Sequence, residues 1–149
     1  MDELPDREEF EAQVALLEAA ARRSRFSPTE LCFPPQRAFV LSRSRRVVAR
    51  CSRRAGKTTG EAIQLLDGAR TPPYANQGYV TLSLKNAKRL VWPALKRLNR
   101  AYGLGGVAND SEGVMRFPNL PEEPAIYLGG AKDRDEIEGL LLARPAHMR

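Results

Sequence analysis

The sequence predicts an α/β fold: a parallel sheet with flanking helices, preceded by one N-terminal helix. Three observations predict it. An apolar run, Val47-Val48-Ala49, leads into the loop Cys51–Thr59, and a helical pattern follows from about Gly60. A second apolar run, Tyr79–Leu84, is again followed by a helical pattern, reaching toward Tyr102. Two short runs, Val114–Phe117 and Ala125–Leu128, then flank the turn-rich segment NLPEEP. Strand-like and helix-like stretches in alternation are the mark of α/β architecture.

The elements follow in chain order. Residues 7–24 carry Phe10, Val14, Leu17 and Ala21 at helical spacing, with Glu8, Glu9 and Glu11 early and Arg22 and Arg23 late. That charge order suits the helix dipole and predicts a packing helix. Residues 26–37 hold three prolines without a period and read as a loop. Val47–Cys51 reads as a short buried strand, with Cys51 a small buried residue. The helix begun at the loop continues over Glu61–Gly68, with Ala62, Ile63, Leu65 and Leu66 apolar and Gly68 near its end. Residues 71–78 form a connector and Tyr79–Leu84 a strand. Asn86 is placed to cap the next helix, whose apolar side is Leu90, Val91, Leu95 and Leu98. Pro93 lacks an N–H and should kink this helix or start a new turn. Gly-Leu-Gly-Gly at 103–106 breaks the chain, and the two last runs form a hairpin-like pair. Three segments result: a helical one over 1–30, a partial domain over 31–142 and an irregular tail over 143–149.

The residues around Gly56-Lys57-Thr58 carry the chemistry. Strand, loop and helix is the layout of a phosphate-binding loop. A helix N-terminus offers unpaired N–H groups and a partial positive charge to an anion. Gly56 permits close backbone approach, Lys57 can reach the β- and γ-phosphates, and the Thr58 hydroxyl can ligate Mg²⁺. The usual pattern has a first glycine separated from the Gly-Lys pair by four residues; that place is held by Cys51.

Charge and composition set the class of partner. With 24 Lys and Arg against 18 Asp and Glu, the net charge is +6, which favours polyanions such as nucleic acid. Lys85, Lys88, Arg89, Lys96, Arg97 and Arg100 concentrate that charge on one helix. Two cysteines and one histidine make neither a disulfide framework nor a zinc site, so a reducing cytosol is expected. The acidic start MDELPDREEF is unlike a signal peptide, and no apolar run is long enough for a membrane span.

Several of these residues line up with one family. Pro34-Pro35-Gln36-Arg37-Ala38-Phe39 is similar to an adenine-reading glutamine motif, and Ser52–Thr59 resembles a deviant Walker A that carries an arginine. Tyr79–Ser83 with Lys85–Pro93, and Tyr127–Ala131 leading to Ile137-Glu138-Gly139-Leu140, continue the likeness. Over roughly residues 33–140 the chain resembles the N-terminal part of the ATPase domain of the large terminase subunit, the DNA-packaging motor of tailed bacteriophages.

That resemblance implies a P-loop NTPase-like sheet of the RecA/ASCE type, with ATP and Mg²⁺ as cofactors. Ser52, Arg54, Ala55, Gly56, Lys57, Thr58 and Thr59 would form the nucleotide loop, Gln36 would contact adenine, and Thr58 would bind Mg²⁺. Arg53 would act in cis on the γ-phosphate, where a guanidinium stabilises the charge of phosphoryl transfer; Arg54 is the neighbouring candidate. It also implies double-stranded DNA, a small terminase subunit and a portal as partners, no membrane, and the bacterial cytoplasm as location. The family next needs an apolar strand ending in Asp-Glu. After Leu142 the chain reads ARPAHMR, and Asp135-Glu136 follows a Gly-Gly break and reads as surface charge. The coupling motif and nuclease domain are missing too. A truncated product that binds ATP and hydrolyses it poorly alone is therefore expected. The alternatives are another P-loop ATPase, such as a helicase fragment, and a basic nucleic-acid-binding or partner-binding protein in which Gly-Lys-Thr is incidental.

Overall fold

The computed structural model describes residues 7–24, 26–42 and 44–132. In chain order the elements are helices α1 (Arg7–Ser24), α2 (Pro28–Leu31), α3 (Pro34–Val40) and α4 (Lys57–Arg70), strand β1 (Gln77–Thr81), helices α5 (Leu84–Leu90) and α6 (Trp92–Tyr102), then strands β2 (Val107–Asn109), β3 (Val114–Arg116) and β4 (Ala125–Gly130).

The strands form one sheet in the order β1-β4-β3-β2. β1 runs parallel to β4, with Gln77 opposite Ile126 and Thr81 opposite Gly130. β3 is antiparallel to both of its neighbours. The protein is thus mixed α/β, and the wholly parallel sheet expected from the sequence is replaced by a mixed one. The reason lies in the connections. β2, β3 and β4 are joined by short turns, which only antiparallel pairing accommodates, whereas β1 reaches β4 through a long crossover.

Residues 47–51 correct a second expectation. They form no strand and pair with no ladder, and Val48 is 92% exposed. Cys51 is likewise exposed, while Cys32 is the buried thiol. An extended segment joins a sheet only where a strand edge lies alongside it, and the described strands offer this segment none. The proline-rich stretch, expected to be a loop, instead folds into α2 and α3. Each starts with proline in its first turn, where the missing N–H costs nothing and φ is already helical.

Elsewhere the local chemistry predicts the elements well. Ser83, rather than Asn86, caps α5: its hydroxyl accepts from the Asn86 N–H at 3.3 Å. Pro93 divides the expected long helix into α5 and α6 and sits in the first turn of the second. Gly103 ends α6 at φ 56°, a left-handed conformation that glycine adopts without a Cβ penalty. α1 spans the expected residues, yet Phe10, Leu16 and Leu17 are more than half exposed, so much of its apolar stripe remains in solvent.

The core lies where α4, α5 and α6 meet the sheet. Ile63 and Leu66 of α4, Val91 and Leu95 of the second helix pair, and Met115 and Ile126 of the sheet are fully enclosed. β4 is buried along nearly its whole length, so it is the central strand. β1 alternates between half-buried and exposed positions and forms an edge. A polar clasp ties α6 to the β2–β3 turn. Trp92 donates its indole N–H to Asp110, and Lys96 donates to the same carboxylate oxygen at 2.9 Å. These two hydrogen bonds, the indole's first, hold the Asp110 carboxyl below the ordinary aspartate range.

Two outcomes follow from this packing. Leu66→Ala removes a fully buried side chain at the centre of α4 and should cost about 2–5 kcal/mol in a denaturant titration; a loss below about 1 kcal/mol would show that α4 is not packed as described. Tyr79 of β1 stands beside Glu61 of α4. Burial raises its phenol above the ordinary value, and the Glu61 charge and a hydrogen bond to that carboxylate raise it further. A raised value stabilises the fold fully below the unfolded tyrosine pKa, about 10, and that contribution is lost as pH climbs through the folded value. Glu61→Gln should move the most alkaline tyrosine titration part of the way down, read as phenolate absorbance. No movement would mean that the two side chains do not meet.

Candidate functional site

The site is built where the irregular segment 44–56 enters α4. Gly56 caps the helix at φ 69°, ψ 17°, and no side chain caps this end. The Gly60 N–H closes the first turn on the Gly56 carbonyl at 3.0 Å. The N–H groups of Lys57, Thr58 and Thr59 therefore stand in the first turn, where helix geometry supplies no internal acceptor. Together with the dipole they make this end of α4 receptive to an anion.

Lys57 is the first helical residue, and its ammonium bridges the loop. Nζ donates to the Ser52 carbonyl at 2.8 Å and the Cys51 carbonyl at 3.3 Å. This strut folds residues 51–56 around the head of the helix. Within the loop, Arg54 holds φ 61°, an uncommon conformation for a residue with a Cβ, costing about 1–3 kcal/mol. Arg53 and Arg54 form an exposed turn, and neither guanidinium is hydrogen-bonded or ion-paired among the described residues. The structure thus brings Ser52, Gly56 and Lys57 together and carries the two arginines on the rim. Thr58 and Thr59 are half-buried in the first turn.

Gln36 reaches this site from α3, twenty residues upstream. Among the described residues it is the buried polar side chain, 8% exposed. Nε2 donates to the Gly56 carbonyl at 2.6 Å, and Oε1 accepts from the Phe33 N–H at 3.3 Å. The packing here is close: a Cβ on Gly56 would lie 2.5 Å from Gln36 Nε2 and 3.1 Å from the Phe33 ring. Gly56 is fixed by both its backbone conformation and its neighbour. Sequence reading found Gln36 and Gly56 separately; nothing in the spacing showed that the amide would seat on the loop's own carbonyl.

Beside the loop lies a groove of about 500 Å³. Lys57 and Cys51 line one part, and Phe33, Phe39, Val47 and Val48 line another. Its size is that of an ordinary small-molecule pocket. The donor set fits a phosphate: an ammonium, unpaired helix N–H groups and a glycine that leaves no Cβ in the way. For Mg²⁺ the Thr58 hydroxyl would be one oxygen ligand. Among the described residues no group of three His, Cys, Asp or Glu side chains could hold a metal by itself, so a nucleotide's own phosphates and water would supply the rest of the shell. Asp135 and Glu136 lie outside the described residues, as does the stretch Ile137–Leu140.

A second feature is the basic surface of α5 and α6. Lys88 donates to the Ser111 carbonyl at 2.8 Å, and Lys96 pairs with Asp110, so both are used internally. Lys85, Arg89, Arg97 and Arg100 are exposed, with no hydrogen bond or ion pair among the described residues. Of the described helices, none is long and apolar enough to cross a membrane.

No family model, no curated protein and no solved structure matches the chain.

Proposed function

We propose that this chain binds a nucleoside triphosphate, with Mg²⁺, at the head of α4. The observation that supports it is the loop itself: an uncapped helix N-terminus, a left-handed glycine and a lysine ammonium bridging the backbone before it. The terminase-like pattern of Ser52–Thr59 makes ATP the nucleotide and a DNA-packaging ATPase of the bacterial cytoplasm the setting, with a small terminase subunit and a portal as its partners. Arg53, on the rim, is the side chain for the γ-phosphate, and Arg54 its neighbour. The reading is one of binding. Lys57 holds phosphate oxygens, Thr58 faces the metal, and the helix N–H groups take up the remaining charge. Losing Lys57 removes charge-assisted hydrogen bonds of about 1.5–3 kcal/mol each. Lys57→Ala should therefore weaken Mg·ATP at least tenfold in a calorimetric titration, and equal binding by the two proteins would sink the assignment.

A second activity has its own observation. Among the described residues four cations on α5 and α6 have no internal partner, while their neighbours Lys88 and Lys96 do. Such a surface suits the phosphates of double-stranded DNA, read by charge and not by sequence. Each phosphate neutralised steepens the log–log salt dependence by about 0.9. Arg89→Ala with Arg97→Ala should flatten the slope by about 2 in a fluorescence-anisotropy titration against duplexes of unrelated sequence. Affinity indifferent to salt, or to both substitutions, would remove DNA from this face.

A further inference from the structure

The groove beside Lys57 is lined by groups of two chemical kinds. One is the ammonium and the loop backbone. The other is an apolar wall of Phe33, Pro35, Ala38, Phe39, Val47 and Val48. Phe33 is 46% exposed and Val48 92%, so aromatic and aliphatic surface is open to a flat ligand there. A nucleotide whose phosphates sit at the head of α4 would lay its base against this wall.

Reading one purine against another takes a side-chain donor and acceptor aimed at the base edge. Gln36 is the side-chain amide of the groove lining, and its hydrogen bonds run to the backbone. Its Nε2 donates to the Gly56 carbonyl at 2.6 Å, its Oε1 accepts from the Phe33 N–H at 3.3 Å, and only 8% of the residue is exposed. The same contact is tight enough that Gly56 could not carry a Cβ. Gln36 therefore joins the end of the phosphate loop to α3, and the remaining wall is apolar except for Arg50, which is exposed and keeps its donors in water whichever base lies there. An apolar wall holds a base by stacking and burial, which every purine satisfies. Large discrimination arises only where buried polar groups would be left unpaired by the wrong ligand.

On the nucleotide-binding reading above, we infer that Gln36 is a positioning residue of the phosphate loop, not a base reader, and that the site accepts purine nucleoside triphosphates with little regard for the base. Adenine and guanine bind by the same stacking contact, and affinity resides in the triphosphate.

The test compares Mg·ATP and Mg·GTP on the full chain, with Lys57→Ala as control. The expected result is Lys57-dependent binding of both, with dissociation constants within about tenfold of each other. Gln36→Met, which keeps the side chain's length but loses its hydrogen bonds, should weaken both nucleotides by the same factor, about two- to tenfold, and leave their ratio unchanged. A wild-type preference for one purine beyond tenfold overturns the inference, as does a Gln36→Met loss confined to one nucleotide or absent for both. These outcomes leave Lys57-dependent binding standing. Failure of either triphosphate to bind in a Lys57-dependent way overturns the nucleotide reading, and this inference with it. Should Gln36→Met fail to fold, the wild-type ratio alone decides.

Discussion

The parallel pairing of β1 with β4 is the constraint on which the rest of the structure depends. Parallel neighbours cannot be joined by a tight turn; the chain must leave one end of the sheet and return to the other. Here the return contains α5, α6 and the β2–β3 hairpin. That excursion places α5 against both parallel strands and α6 against α4 and α5. It also leaves β4 in the middle, enclosed on both faces, because β3 pairs on the side away from β1. A central strand so buried must be apolar or small throughout, and Ala125-Ile126-Tyr127-Leu128-Gly129-Gly130 answers that demand. The Trp92–Asp110 and Lys96–Asp110 contacts then tie the far end of the crossover to the hairpin.

Much of this was legible in the sequence wherever periodicity and end chemistry agree. α1 and α4 show apolar spacing near 3.6 residues, and the break at Pro93 follows from a missing N–H. β3 and β4 were recognisable as short runs on either side of a turn. The misreadings share a cause. Val47-Val48-Ala49 has strand-like residues, but a strand exists only where another accepts its backbone hydrogen bonds, and no local pattern reports that. β2 was invisible for the opposite reason: Val107-Ala108-Asn109 is three exposed residues, too short a run to show alternation, held in place by β3. The prolines of 28–35, with no helical period around them, suggest a loop, yet at the first turn they are helix starters. Burial was harder still. α1 has the right period for packing and still exposes Phe10, Leu16 and Leu17, since periodicity shows that a stripe exists and not what covers it.

The loop residues were legible as a group and their contacts were not. Gly56, Lys57 and Thr58 announce themselves by type and order. The carbonyls that receive the Lys57 ammonium, and the seating of the Gln36 amide on Gly56, depend on how α3 packs against α4. Gly60 contributes to that packing: a Cβ there would touch Val40 at 3.4 Å and Phe39 at 3.6 Å, so its bare backbone lets the two helices approach. The glutamine's position relative to the loop is thus a tertiary result, produced by side chains that carry no chemistry of their own.

α4 serves two ends at once, and they are physically separable. Its Ala62, Ile63, Leu65, Leu66 and Ala69 are buried in the core, while residues 51–54 of the loop before it are exposed. Nothing in the core depends on Lys57 or Arg54, and Arg54 holds a backbone conformation that works against stability. Such a residue persists because its surroundings fix it: the Lys57 strut on one side and the Gln36 amide on the other close the loop at both ends. A ligand taking up the Lys57 ammonium would exchange the contacts to the Cys51 and Ser52 carbonyls for contacts to itself. The loop would then be held by the ligand where it is now held by its own backbone. Binding of that kind adds stability in proportion to the logarithm of ligand concentration over its dissociation constant, about 2.7 kcal/mol at a hundredfold excess. The loop's order and its occupancy are in this sense one equilibrium, set at the head of a helix whose other end is anchored in the core.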